Sequence, residues 1–523
     1  MLPHPTLKDL QTISEEYNLK VPDDTLSHLL ECISQDVDDL QHLDEWQNPL
    51  DDEKHKYADR QYHRPTPQEN RYNAWYHKCN IKGGQKEEKC PFLVNKRLAI
   101  KDNIFIGMVP LMNGSKIVEG FIPDFDATVV ERILNHGGTI LGNVTCENMC
   151  LSGGSYNTTY GPVRNPWNPD YSAGGSSSGS GVVVATGEVD MALGGDQGGS
   201  IRIPSSSCGI VGLKPTFGLV PYTGIISIIR TLDHAGPMAR NVTDCARLLT
   251  AIAGFDDGKD DRQPSTGIQF TNFLEEVESA KPGILRIGVL KEGFEDCDHI
   301  VNKCVQNAVS LIKSSTKFVT VEEVSIPEHS KALIPFYFIV SCATKDQLID
   351  GCGYGTSMSG VLTSKLSEKL YGGLKSHAHT LHLAAKKIVI SSEYIKKFGG
   401  SSRYINYAKA QTWCWHIGKA YDKALETFDV LLMPTLNKLP VKIPTTDSHE
   451  DMESCFNMSK NTAPFDMTHH PAITLNAGYD EETNLPIGVQ LVGRLWDDAT
   501  VLKAAKLAEE TLSVLQKPFN FSE

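Results

Sequence analysis

Two glycine- and serine-rich stretches bring reactive side chains close together: AGGSSSGSGVVVATG at 173–187 and GGDQGGSIRIP at 194–204. Both are flanked by apolar residues that read as buried chain. Glycines in ordered chain cost conformational entropy, so a packed protein must use them for something. In DQGGS the main-chain N–H groups of Gln197, Gly198, Gly199 and Ser200 are able to converge on one oxygen, as an oxyanion hole does. Ser200 Oγ would then attack the carbon attached to that oxygen.

A serine hydroxyl needs a base, and neither stretch contains His or Lys. The base is sought in RLAIKDN, where Lys101 ends an apolar run. Burial lowers a lysine pKa from about 10.4 toward neutrality and frees the amine to take a proton. Taken alone, Lys101 would be an ordinary structural lysine. Two other uses of the glycines are set aside. A phosphate cradle needs Lys-Ser/Thr after its last glycine, which is absent here. GSSSG, centred on Ser177, mimics a hydrolase elbow, with HGGT at His136 as a mock oxyanion motif. That elbow needs a strand leading into it, and Pro166 and Pro169 break the approach.

The surrounding sequence must position these groups. RLAIKDN, TILGNVTC, VDMALGG, ILRIGVL and FDVLLMPT read as strands. DATVVERILNHGG, TDCARLLTAIAG (capped by Thr243) and DATVLKAAKLAEETLSVL read as helices. This alternation predicts an α/β fold with a mostly parallel or mixed sheet, helix-covered on both faces. Before it, TLKDLQTISEEY and DDTLSHLLECISQDVDDLQHL are helical, the second capped near Asp24 or Thr25. The polar stretch at 44–75 reads as an extended linker. The 523 residues are 40% hydrophobic and 22% charged, with a net charge of -14. That acidity disfavours nucleic acid and anionic membranes as partners. No run of about 18 apolar residues or basic-then-apolar leader stands out. Thirteen cysteines, from Cys32 to Cys455, lack a paired framework and predict reduced thiols in the cytoplasm. CENMC (Cys146, Cys150) has the wrong spacing for a redox or zinc pair. His377, His379 and His382 lack acidic or cysteine partners at ligand spacing, so no metal site is expected.

GGSSSGS, GGDQGGSIRIP at the matching interval, and Lys101 in AIKDN together resemble the amidase signature hydrolases. The resemblance extends from about residue 90 through GPVRNPWNP, CGIVGLKPTFGLVPYTG, DHAGPMARNVTDCARLL, LLMPT and LPIGVQLVGR. It is greatest to the broad-range acylamide amidohydrolases of bacterial nitrile-degrading pathways. It implies the amidase signature fold: a central mixed sheet covered by helices on both faces. Residues 1–75 would form a helical extension and linker, as a cover, a dimer contact or a solvated pair. Residues 76–523 would form the catalytic domain.

The resemblance makes Ser200 the nucleophile, Ser176 a bridging serine after a cis peptide at Gly175, and Lys101 the base. Gln197, Gly198 and Gly199 would serve the oxyanion hole, and Cys150 would line the acyl pocket or simply pack. Asp196 and Arg202 would pair to brace the loop. The reaction would be hydrolysis of a small-molecule carboxylic acid amide to acid and ammonia, without metal or organic cofactor. Ser178 departs from the family pattern, which has glycine there. The alternatives are a fatty acid amide hydrolase-like enzyme, a glutamine amidotransferase component of the A type, or an inactive binding protein on the same fold.

Overall fold

The computed structural model describes residues 3–46, 49, 60–84, 91–264, 268–445 and 458–517. The chain divides into two compact units, Met1–Lys56 and Tyr57–Glu523. The first holds two helices, Leu7–Glu16 and Asp23–Glu45. Thr6 starts the first with a capping box: its hydroxyl accepts the Asp9 N–H, and the Asp9 carboxylate accepts the Thr6 N–H at 2.8 Å. The second follows Pro22 and has no side-chain cap, so neither Asp24 nor Thr25 fills that role.

The second unit is built on one twelve-stranded mixed sheet. Its strands are β1 Tyr62–His63, β2 Trp75–Lys82, β3 Arg97–Lys101, β4 Thr139–Val144, β5 Met191–Asp196 and β6 Val211–Lys214. They continue as β7 His234–Ala239, β8 Leu285–Leu290, β9 Phe318–Val324, β10 Val430–Pro434, β11 Ala472–Tyr479 and β12 Pro486–Gly493. The spatial order is β1-β2-β4-β3-β5-β7-β6-β11-β12-β10-β8-β9. Helices cover both faces, and β5, β10 and β12 are buried along their whole lengths, as a doubly covered sheet requires.

The parallel pairing of β3 with β5 positions the chemistry. Leu98 lies opposite Met191 and Ile100 opposite Leu193. The carboxyl ends of both strands therefore emerge side by side, one carrying Lys101 and the other leading into GGDQGGS. The helix Ser178–Ala185 is wholly buried. Its Val182–Val184 run packs into the same cluster as Ala99, Ala192 and Trp75, which fixes the serine loop above the strand ends.

The linker, boundary and helix-cap expectations are revised. The sheet begins within the stretch read as linker: β1 pairs with β2, and the unit boundary falls after Lys56 rather than at 75/76. Polar composition misled here, because Arg60 is not a solvated linker residue but donates twice to the buried carboxylate of Asp126, at 2.5 and 2.7 Å. Residues 47, 48 and 50–59 of that stretch lie outside the described residues. The helix Val242–Ile252 is capped by Asn241, which accepts the Asp244 N–H at 2.7 Å, and not by Thr243. Among the described residues one helical run, His329–Ile349, is long and apolar enough to cross a membrane by length and composition, and half of it is buried inside the protein. The eleven described cysteines are free thiols; Cys90 and Cys455 lie outside the described residues.

Candidate active site

Lys101 is fully buried at the end of β3. Its Nζ donates to Ser176 Oγ at 2.8 Å and to the Gly195 carbonyl at 3.3 Å. The peptide between Gly175 and Ser176 is cis. Ser177, the centre of GSSSG, ties the two loops together. Its hydroxyl donates to Gly195 O at 3.1 Å and accepts the Gly195 N–H at 3.2 Å. Its own N–H donates to Ser200 O at 3.2 Å. Lys101, Ser176 and the Ser200 loop therefore come together from three parts of the chain. Ser200 Oγ makes no hydrogen bond among the described residues, so the Ser176–Ser200 link of the expected relay is not closed here. Such links commonly tighten only with substrate bound.

The loop expected to form the oxyanion hole differs from that expectation at one position. Asp196 ends β5, and its carboxylate accepts the N–H of Gly199 at 2.5 Å and of Ile201 at 3.1 Å. Gly199 is therefore not a free donor, because the carboxylate beside it has captured its N–H. Among the described residues the N–H groups of Gln197, Gly198 and Ser200 have no partner, leaving three donors rather than four. The glycines also make room for protein neighbours. Gly199 sits at φ +129°, where a Cβ would collide with the Thr462 side chain, whose hydroxyl donates to Gly198 O at 2.6 Å. At Gly198 a Cβ would come within 2.6 Å of Phe336 Cζ.

Behind the loop, Arg202 is fully buried and makes a two-point contact with Asp196, both bonds 3.0 Å. It also donates to Asp466 at 2.7 Å, and to Thr462 O and Gln490 Oε1 at 2.8 Å each. The expected brace is present and extends further than one pair. Burial alone would raise the Asp196 carboxyl, but the Arg202 charge and hydrogen bonds outweigh it and hold it at about 2. Asp466 shares the same guanidinium and is pushed up by burial and by Asp196. Asp196, with four donors, is the ionised partner; one Asp466 oxygen has no hydrogen bond.

Ser200 lines a cleft together with Gln197, Gly198 and Cys150. Its far walls are apolar: Leu151, Ile203, Ile228, Ile229, and Phe336, Tyr337 and Val340 from the helix Leu333–Thr344. Among the described residues no Asp, Glu, Lys, Arg or His lines it. Cys150 stands at φ +58° and donates to Asn113 Oδ1 at 3.2 Å. Burial would raise this thiol, yet the Cys146 hydrogen bond and Lys101 beside it bring it to about 6; Cys146 is pushed up instead. Glu147 is fully buried, with one oxygen accepting the Asn157 N–H and the other unpartnered; burial raises its carboxyl to about 7. Ser178, the departure from the family pattern, buries a hydroxyl without a partner.

Sequence reasoning missed Asn113, Glu147, Thr462 and Phe336. Glu147 stands in view inside CENMC, where the cysteine spacing draws attention away from it. Thr462 and Phe336 reach the site by folding alone and carry no local signal.

The Amidase family model matches residues 64–502. An enantioselective amidase of Rhodococcus rhodochrous is 42% identical over 86% of this chain and 85% of its own. The A component of the glutamyl-tRNA(Gln) amidotransferase of Methanosarcina acetivorans is 35% identical over 79% of this chain and 83% of its own. Among solved structures, a peptide amidase from Stenotrophomonas maltophilia superposes with a TM-score of 0.67 at 25% identity, over 82% of this chain and 85% of that one.

Proposed function

The chain belongs to the amidase family and is an amide-hydrolysing enzyme; from that premise we propose that it cleaves amides of uncharged, apolar carboxylic acids through an acyl-enzyme on Ser200. Lys101 would take the Ser176 proton while Ser176 takes that of Ser200. Ser200 Oγ would then attack the carbonyl carbon. The N–H groups of Gln197, Gly198 and Ser200 would hold the oxyanion. Ser176 would return a proton to the nitrogen, releasing ammonia, and water would cleave the ester by the reverse route.

The observation that carries the reading is the buried Lys101–Ser176 hydrogen bond beside a cleft lined by Ser200. Walls that carry no Asp, Glu, Lys, Arg or His among the described residues support the substrate class and also weigh against the amidotransferase alternative, because glutamine brings a charged amine and carboxylate that none of these walls would pair. The eleven free thiols support a reducing, cytoplasmic setting. Exposed Ile13, Leu40, Leu43 and Trp46 support the homodimer reading of the N-terminal helices, which sedimentation of the full chain tests. For the activity, ammonia release is scored over an amide panel. Branched and aromatic amides should turn over and glutamine should not. Ser200→Ala should lose on the order of 10⁴-fold or more; near-normal turnover in that variant overturns the assignment.

A further inference from the structure

Gln197 has a feature that the oxyanion hole does not use. The residue is only 7% exposed, and it lines the same cleft as Ser200. Its Nε2 donates to the Tyr222 hydroxyl at 3.0 Å, but its Oε1 is buried and has no partner. Buried side-chain oxygens nearly always find a donor, and leaving one unmet is costly. The cleft itself does not supply one. Cys150 points its thiol at Asn113 Oδ1, and although Ser152, Ser200, Tyr337 and Ser459 bring hydroxyls to the same walls, none of them donates to Oε1.

Tyr222 is itself held firmly. Its N–H donates to Asp260 at 2.8 Å, and the Arg262 guanidinium lies 4.4 Å over its ring. The side chain of Gln197 is thus anchored through Nε2, with its acceptor left unmatched. The main-chain N–H of the same residue is one of the three unpaired donors around the carbonyl site. One residue therefore offers a donor for an oxygen and an acceptor for a hydrogen, the pairing that a carboxamide presents.

We propose that Gln197 Oε1 accepts a hydrogen bond from the substrate's carboxamide N–H, and that Gln197 is thereby the residue by which this site prefers an amide over an ester of the same acid. An ester has no such hydrogen and leaves Oε1 unmet, and a site with an unmet polar group rejects a substrate lacking the matching one. In the tetrahedral intermediate the contact also fixes nitrogen orientation. One N–H points to Oε1, and the lone pair is left to take the proton from Ser176 as the C–N bond breaks and ammonia departs. This inference rests on Ser200 being the nucleophile.

The test compares kcat/KM for a primary amide and the methyl ester of one apolar acid, in wild type, Gln197→Leu and Tyr222→Phe. Gln197→Leu is expected to lower the amide-to-ester ratio about 10- to 100-fold. Tyr222→Phe, which keeps Oε1 but frees its anchor, should lower the ratio by a smaller factor. Ester turnover reports that each variant is folded. An unchanged ratio in Gln197→Leu overturns the inference, whether both activities fall together or neither falls. If Gln197→Leu does not fold, Tyr222→Phe decides alone: a lowered ratio supports the inference and an unchanged one overturns it. Wild-type turnover that survives Ser200→Ala would instead refute the nucleophile assignment, so the two failures are separable.

Discussion

Replacing Asp196 with Asn removes the charge that organises the oxyanion loop while nearly preserving its shape. The carboxylate takes four donors: Gly199 N–H, Ile201 N–H, and two from Arg202. Asparagine can satisfy Gly199 with its one oxygen. Its NH2 then faces the Ile201 N–H and the guanidinium, donor against donor. Arg202 keeps Thr462 O, Gln490 and Asp466, and Asp466 gains reason to ionise, which tempers the loss. Breaking a buried pair from one side costs about 3–5 kcal/mol. For a chain this long, with m of about 3 kcal/mol/M or more, the urea midpoint should fall by roughly 1 M. If the loop relaxes, kcat should fall about 10²-fold, as for loss of one oxyanion donor, with KM less affected. A pH signature identifies the cause. The folded carboxyl lies at about 2, below its ordinary 3.8, so its contribution is complete above about pH 4 and is lost as the pH falls toward 2. Wild type should show that acid limb in its urea midpoints and Asp196→Asn should not. A variant with the wild-type midpoint at neutral pH and the wild-type acid limb would refute the reasoning.

Three further outcomes follow from the same contacts. Cys150, whose thiol is lowered against burial by Cys146 and Lys101, should be the cysteine alkylated fastest by iodoacetamide, its rate rising with pH as the thiolate forms and falling when an apolar amide fills the cleft; peptide mapping of the adduct checks this. Phe336→Ala removes the ring against Gly198, so kcat/KM should rise for bulky aryl amides and fall for small ones across the amide panel. Burial, the largest influence, lowers the Lys214 amine from 10.5 to about 8. Between pH 8 and 10.5 the unfolded chain binds more protons at this site than the folded one, so this site's contribution makes stability rise with pH. The change in urea midpoint from pH 7.5 to 9.5 should be less positive in Lys214→Met than in wild type.

The groups that the structure brings together at the candidate site were legible because each is announced by neighbours in sequence. Lys101 ends an apolar strand, and Ser176 and Ser200 sit in glycine runs that an ordered chain would otherwise avoid. The fold class was legible for a similar reason, since buried strands such as Val430–Pro434 and Pro486–Gly493 read as continuous apolar runs. What escaped was whatever depends on which donor meets which acceptor. Four consecutive N–H groups look equivalent in DQGGS, and only the folded loop shows that Asp196 has taken one. Polar composition at 60–75 resembled a linker because an Arg60–Asp126 pair leaves no trace in either residue's own neighbourhood. Thr243 and Asn241 both suit a helix cap, and the choice between them turns on one N–H.

The capture of Gly199 changes what the glycine pair is for. A loop of four free donors would be a flexible nest, able to turn its N–H groups toward water when empty. Here one donor is spent on Asp196, which is locked to Arg202. Arg202 in turn holds Thr462 O, Gln490 on β12 and Asp466 in the helix Ala463–Met467. Thr462 closes the circuit by donating to Gly198 O. The remaining donors are therefore aimed by contacts with residues more than 250 positions away in the chain, through groups that are fully buried. On the proposed mechanism such a loop would have little left to reorganise as charge develops on a substrate oxygen, and fixed dipoles of that kind are what make an oxyanion hole effective. Gly199 is glycine because its backbone must reach Asp196 while Thr462 presses on the other side. Ser200, next to it, inherits that rigidity.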